Sequence, residues 1–269
     1  RTMEHVLAEA RQLADSGVKE LIVIAQDITR YGMDWDGKPH LADLLEELCK
    51  LDFHWIRLHY LYPEWIDDRL IDVIAREDKI LKYLDIPLQH CNDKILKKMN
   101  RRGDKKYLCA LLDKLRERIP GLVLRTSIIA GLPGEGEEEF DELCDFLREQ
   151  KLLRAGVFPY SPEEGTRAAK MERVDSDEAA RRAERIVDIQ SEIIDAWNDE
   201  RQGDVMEVLC EGFDGQSMLF VGRSYAESPD IDGRIYFSAP RDVAAGEFVP
   251  VRITGAMDGE LTGELAEEE

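Results

Sequence analysis

Residues 122–140, "LVLRTSIIAGLPGEGEEEF", join two different periodicities across one turn. The first half is a run of aliphatic and β-branched residues suited to a buried strand. Gly131, Pro133, Gly134 and Gly136 break it, and acidic residues then open a helix. A strand that turns straight into a helix is the repeating unit of a parallel sheet, because parallel neighbours need a long crossover between them.

The same unit recurs on both sides. Upstream, an amphipathic helix over 3–16 precedes "LIVIAQDI" (21–28), "LADLLEELCK" (41–50) precedes "WIRLHYL" (55–61), and "EWIDDRLIDVIAR" (64–76) precedes "LKYLDIPLQ" (81–89). A helix is expected over 92–118. Downstream come a helix over 136–150 and the strand "AGVFPYS" (155–161). Five strands separated by helices predict right-handed crossovers and an α/β fold, a partial (β/α) barrel of parallel strands. Polar residues share one strand face: Arg57 with His59, Asp85 with Gln89, Arg125 with Ser127. Such a face either lines a ligand cavity or forms an ion-paired packing layer. A cavity would open at the carboxyl ends of the strands, where "AQDITRYG", "LQHCND" and "AGLPGEGEEEF" fall.

After a charged helix over 175–201 the texture changes. Short alternating strands separated by Gly, Pro and Asp predict a small antiparallel β-barrel over 203–269, with 1–202 as the larger domain and its linker helix. The "EEE" end is the only low-complexity run. From 204 to 269 there are 15 acidic and 4 basic residues, a net −11, within a chain of net charge −21. That balance disfavours phosphate tracking and favours encounter with a cationic protein, although it also serves solubility. No apolar run approaches the ~20 residues of a membrane span. Five cysteines without a CxxC pair, at spacings of 42, 18, 35 and 66 residues, argue against a disulfide framework and fit a reducing cytoplasm.

"GLPGEGEEEF" lacks the Gly-Lys-Ser/Thr of a nucleotide phosphate loop, and its glutamates would repel a phosphate while complementing the helix dipole. It is either a plain tight turn or a place where the backbone approaches a flat ligand. His90 and Cys91, adjacent on an extended segment, point to opposite sides and make a poor nucleophile pair. Asn92 or Asp93 is a candidate helix cap, and Gly103 a left-handed stop. Lys97, Lys98, Arg101 and Arg102 form a basic face, open either to solvent or to an anion.

Four segments in order, "AQDITRYG" (25–32), "PLQHCNDKILKKMNRRG" (87–103), "RTSIIAGLPGEGEEEF" (125–140) and "FPYSPEEGTRAA" (158–169), resemble the methylthiotransferase branch of the radical S-adenosylmethionine (radical SAM) enzymes. That resemblance implies an accessory barrel called TRAM after the catalytic domain. "VGRSYAESPDIDGRIYF" (221–237) is similar to the members that modify an aspartyl residue of the basic ribosomal protein uS12, rather than to those that modify tRNA. It further implies S-adenosylmethionine and two 4Fe-4S clusters as cofactors, an electron donor, the small ribosomal subunit as partner, and hydrogen abstraction from the aspartyl β-carbon. By position it assigns Gln26, Gln89 and Arg125 to the polar groups of S-adenosylmethionine and the backbone around Ile129 and Gly131 to its adenine. Arg57 and His59 are further candidates for orienting cofactor or substrate.

One departure stands out. The family's CxxxCxxC is absent from this chain, so neither cluster is expected on the family's ligands here, and the sequence reads as beginning inside a catalytic domain. The expectations are an open barrel without its first strand, an exposed cofactor pocket with mobile rim loops, and no turnover by this stretch alone. A tRNA methylthiotransferase and a non-catalytic ribosome-binding module are the competing readings. Lesser departures are Cys91 where Ser is commoner, Leu132 for Phe and Gly136 for Thr.

Overall fold

A computed structural model describes residues 1–266, and the "EEE" run at 267–269 lies outside the described residues. The chain parts into two compact units, Arg1–Gln190 and Ser191–Glu269. Unit 1 carries α1 (Met3–Asp15), β1 (Glu20–Val23), α2 (Met33–Asp36), α3 (Leu41–Leu48), β2 (Trp55–Leu58), α4 (Asp68–Arg76) and β3 (Ile80–Asp85). It continues with α5 (Asp93–Lys98), α6 (Lys105–Arg118), β4 (Val123–Ala130), α7 (Glu137–Gln150) and β5 (Arg154–Pro159). The helix α8 (Ser176–Glu200) crosses from one unit into the next.

The five strands of unit 1 lie in chain order, β1-β2-β3-β4-β5, every pairing parallel, in a sheet that does not close on itself. Its apolar side chains pack under the helices: Ile56, Leu58, Ile80, Tyr83, Leu84 and Ile128 are fully or almost fully buried against Leu45, Ile71, Ile74, Leu112, Leu115 and Phe146. Caps fix where the helices begin. Asn92 accepts from the backbone N–H groups of Lys94 and Ile95, Asp104 from Tyr107 and Asp67 from Leu70.

Several boundaries differ from the expectation: β2 ends at Leu58 and β3 at Asp85, short of 61 and 89. The first strand ends at Val23, because Asp27 turns the chain into a 3-10 turn over Ile28–Arg30 by accepting the Thr29 N–H. The helix expected over 92–118 is two helices. Asn100 and Gly103 both have positive φ, and a fresh cap at Asp104 starts α6.

Unit 2 is a closed five-stranded barrel of β6 (Val205–Asp214), β7 (Leu219–Arg223), β8 (Ile235–Ser238), β9 (Phe248–Met257) and β10 (Glu260–Leu265), in the order β10-β8-β7-β6-β9. Four pairings are antiparallel. The fifth, which closes the barrel, is parallel and sets Leu261 beside Ile235 and Gly263 beside Phe237. Asp258 and Gly259, both at positive φ, make the two-residue turn between β9 and β10. Met206, Val208, Phe220, Ile235, Phe237, Val249, Val251, Ile253 and Leu261 fill the interior. Among the described residues no helix is long and apolar enough to cross a membrane.

Candidate functional site

The carboxyl ends of β3 and β4 are stitched together beyond the regular ladder. The Gln89 N–H donates to Ser127 O (2.8 Å) and its carbonyl accepts from Ile129 N–H (3.0 Å), an isolated parallel bridge past the end of β3. To make both bonds Gln89 takes φ +69, left-handed and costly for a residue with a β-carbon. Such strain persists only where surrounding contacts over-determine it.

The Gln89 side chain is oriented as firmly as its backbone. Arg101 Nε donates to Gln89 Oε1 at 3.1 Å, and a guanidinium can only donate, so the amide oxygen is fixed toward Arg101 and the NH2 end is left to face other acceptors. Arg101 is itself held over the Tyr62 ring, 5.1 Å from its centroid.

On β4 the alternation sorts the face. Thr126, Ile128 and Ala130 are buried in the core, whereas Ser127 and Ile129 are only half-buried and share their face with Arg125. Arg125 Nη1 donates to Asp85 Oδ1 at 2.9 Å. The other Asp85 oxygen lies 3.5 Å from His59 Nδ1, without hydrogen-bond geometry. Arg57 is paired with Glu20 at 2.6 Å and lies 4.7 Å from the Tyr83 ring centroid. The polar strand face is thus a layer of buried, partnered charges beneath the half-buried surface of Gln89, Ser127 and Ile129.

Gly131 is buried at φ +80, and the space a side chain would take there is occupied by Ala179 of α8; at Gly134 it is occupied by Lys98. These glycines admit protein neighbours. Gln26 is exposed on the segment after β1 and lines a separate cavity of about 610 Å3 with Tyr62, Trp65 and Arg102. Gln89, Arg125, Ile129 and Gly131 are therefore brought together around the carboxyl ends of β3 and β4, and Gln26 follows the carboxyl end of β1 in a cavity whose lining includes none of them.

A network that the sequence does not announce holds this end together. Glu135 turns inward instead of joining the acidic first turn of α7. Its Oε1 accepts from Gly131 N–H (2.9 Å) and Arg182 Nη1 (2.8 Å), and its Oε2 lies 3.3 Å from His90 Nε2 at ion-pair distance without hydrogen-bond geometry. Burial pushes the Glu135 carboxyl up, but His90, Arg182 and the Gly131 N–H outweigh it and hold the group below its ordinary range. His90 Nδ1 accepts from Asn92 N–H at 2.9 Å, which leaves the ring proton on Nε2, facing Glu135. Arg182 also donates to Glu178 (2.9 Å) and stacks 5.1 Å from the Phe140 ring centroid. One carboxylate so ties the loop after β3, the loop after β4 and α8. The legible signal is Gly134 and Gly136 on either side of it, which keep Glu135 out of the helix.

The thiols are placed for packing. Cys91, Cys144 and Cys210 are buried, burial pushes the Cys91 thiol well up, and it pushes Cys49 up to about 11. Raised thiols are the reverse of what cluster ligation needs, and among the described residues no group of three or more His, Cys, Asp or Glu could hold a metal ion. These residues do not fit a 4Fe-4S cluster. Gln89, Ser127 and Ile129 stay half-buried at this sheet end.

Parallel strands bearing such a site at their carboxyl ends, followed by a separate small barrel, match two known domains: the radical SAM superfamily over residues 1–147 and the TRAM domain over 203–266. The chain belongs to the radical SAM superfamily. It is 47% identical to the ribosomal protein uS12 methylthiotransferase RimO of Symbiobacterium thermophilum, over 99% of this chain and 56% of that protein. It is 48% identical to RimO of Pelotomaculum thermopropionicum, over 98% of this chain and 60% of that protein. The chain thus spans little more than half the length of these curated relatives. Coproporphyrinogen III oxidase (HemN) from Escherichia coli, a radical SAM enzyme, superposes with TM-score 0.52 at 19% identity, covering 71% of this chain and 46% of that one, which speaks for the fold alone.

Proposed function

We propose that the protein containing this chain is a uS12 methylthiotransferase that attaches a methylthio group to the β-carbon of an aspartyl residue, acting in the cytoplasm with a reducing electron donor. The observation that carries this reading is 43–48% identity, over 98–100% of the chain, to proteins bearing that name. S-adenosylmethionine, when bound, supplies the radical and methyl chemistry. This chain's residues bind and orient it: Gln89 offers the amide NH2 that Arg101 leaves free, Arg125 offers a cationic donor, and Ile129 with the backbone to Gly131 offers a flat apolar wall. Cluster ligands are supplied by thiolates other than the five cysteines here.

The acidic second unit, net −11 over 204–269, suits a basic ribosomal protein better than RNA. The whole protein, reconstituted with iron, sulfide, reductant and S-adenosylmethionine, is expected to add a methylthio group to uS12, read by peptide mass mapping. Label appearing in tRNA instead would overturn the substrate, and no product in either with clusters intact would favour a binding module. The chain without added clusters is expected to release no 5′-deoxyadenosine.

A further inference from the structure

The cavity that Gln26 lines opens beyond β1 and β2, and Gln89, Arg125 and Ile129, which meet beyond β3 and β4, are not among its lining residues. Its walls are the segment after β1 (Ala25, Asp27, Arg30, Asp34), the turn after β2 (Tyr62, Glu64, Trp65) and Arg102 from the turn after α5, and its volume is about 610 Å3. That is ample for a few residues of peptide.

The state of its charges is informative. Many guanidiniums of unit 1 close on carboxylates, among them Arg57 on Glu20, Arg76 on Glu46, Arg118 on Asp68 and Asp72, Arg125 on Asp85 and Arg182 on Glu135, while others such as Arg11 and Arg173 do not among the described residues. In a chain of net charge −21 an arginine has acidic partners to spare. Yet among the described residues Arg30 and Arg102 make no ion pair, and neither do Asp34 and Glu64, although all four line one cavity. Arg102 is instead poised 5.7 Å from the centroid of the Trp65 ring. Asp27 keeps one carboxylate oxygen buried without a hydrogen-bond partner, its other oxygen serving Thr29. A concave wall that holds both signs of charge open, beside two aromatic rings able to take alkyl stems, complements a ligand that carries both signs itself.

We propose that this cavity is the acceptor-peptide subsite: Arg30 and Arg102 take the carboxylate of the acceptor residue, and Asp34 and Glu64 take cationic side chains flanking it, their stems lying on Tyr62 and Trp65. The assignment rests on the reading that the substrate is an aspartyl residue in a basic protein.

The test is fluorescence anisotropy with a labelled nine-residue peptide, one central Asp among Lys and Arg residues, titrated with this chain in low salt. Arg30→Gln and Arg102→Gln are each expected to weaken binding about tenfold, and Glu64→Gln and Asp34→Asn about three- to tenfold. Changing the peptide Asp to Asn should cost the unaltered chain about tenfold and cost the Arg30→Gln/Arg102→Gln double variant nothing further. An Asn peptide that loses as much on the double variant as on the parent would overturn the subsite, as would peptide binding at parental strength by all four variants or absence of binding. Competitive displacement of the peptide by S-adenosylmethionine would hand the cavity to the cofactor and also overturn it. All four side chains are at least partly exposed, and unchanged thermal melts show that the variants remain folded. Failure here leaves the methylthio product assay intact, while absence of a uS12 product with this charge pattern confirmed would remove the activity and leave the peptide site.

Discussion

Both units have apolar cores, but they differ in the charge they bury beside them. Between its strands unit 1 buries Arg57, His59, Asp85 and Arg125, and at the sheet end His90, Glu135 and Arg182. The barrel of unit 2 buries phenylalanine, valine, isoleucine and leucine. The buried polar groups of that unit are Asn198 on α8, Arg223 at the end of β7, and Ser224, Glu227 and Ser228 in the loop that follows. Buried charge gives weak net stability but holds a site in one geometry, whereas an apolar interior gives stability and leaves function to the surface. On the proposed function, the contrast suits unit 1 to orienting a ligand and unit 2 to making contacts through its exterior.

Substitutions can break that contrast from either side. Phe237→Ala, at the fully buried centre of the barrel and stacked 5.6 Å from Phe220, is expected to cost about 3–5 kcal/mol. A two-domain urea melt should show it as early loss of unit 2 with unit 1 unchanged. Arg125→Ala leaves Asp85 buried without its ion-pair partner and is expected to cost about 3–5 kcal/mol in unit 1 alone. If replacing Arg125 cost less than ~1 kcal/mol, the polar layer would not be what organises unit 1.

Gly131→Ala puts a methyl group into Ala179 at a left-handed backbone position and is expected to cost roughly 1–3 kcal/mol, with proteolysis first rising near α8. The smallest expected effect is pH-dependent. His40 lies between Asp43 (2.8 Å) and Asp36 (3.1 Å), and the hydrogen bonds to them raise its proton affinity above the ordinary 6.5. The histidine holds its proton more tightly folded than unfolded. Its contribution is therefore complete below pH 6.5 and is lost as pH rises through the elevated folded value. Protection factors over residues 31–43, which remove the intrinsic base-catalysed rate, should fall across that rise, and His40→Gln should remove that fall.

The parallel sheet is legible in the sequence because each strand is a short β-branched run flanked by helical periodicity, and the change at Gly203 is legible because alternation replaces it. What escapes is set by single residues acting over distance. Nothing in "LQHCND" says that Gln89 adopts positive φ, since that depends on bonds to Ser127 and Ile129, some forty residues away. The break between α5 and α6 is half visible in Gly103, but the new cap at Asp104 decides it. The polar strand face shows in the alternation alone. Its partners, Glu20 for Arg57 and Asp85 for Arg125, come from neighbouring strands, and register is invisible until the strands pair. The parallel seam that closes the small barrel stays hidden for the same reason, since β8 and β10 are not consecutive.

Position 89 also has a meaning for evolution and engineering. Left-handed backbone costs a residue with a β-carbon roughly 1–2 kcal/mol, and glycine would adopt it without clash. A sequence tuned only for sturdiness would place glycine there. With Gln89 binding the cofactor as proposed, Gln89→Gly is the kind of change that a stability screen accepts and a binding screen rejects. Positions at which two such screens disagree mark residues retained for what they do rather than for how they fold.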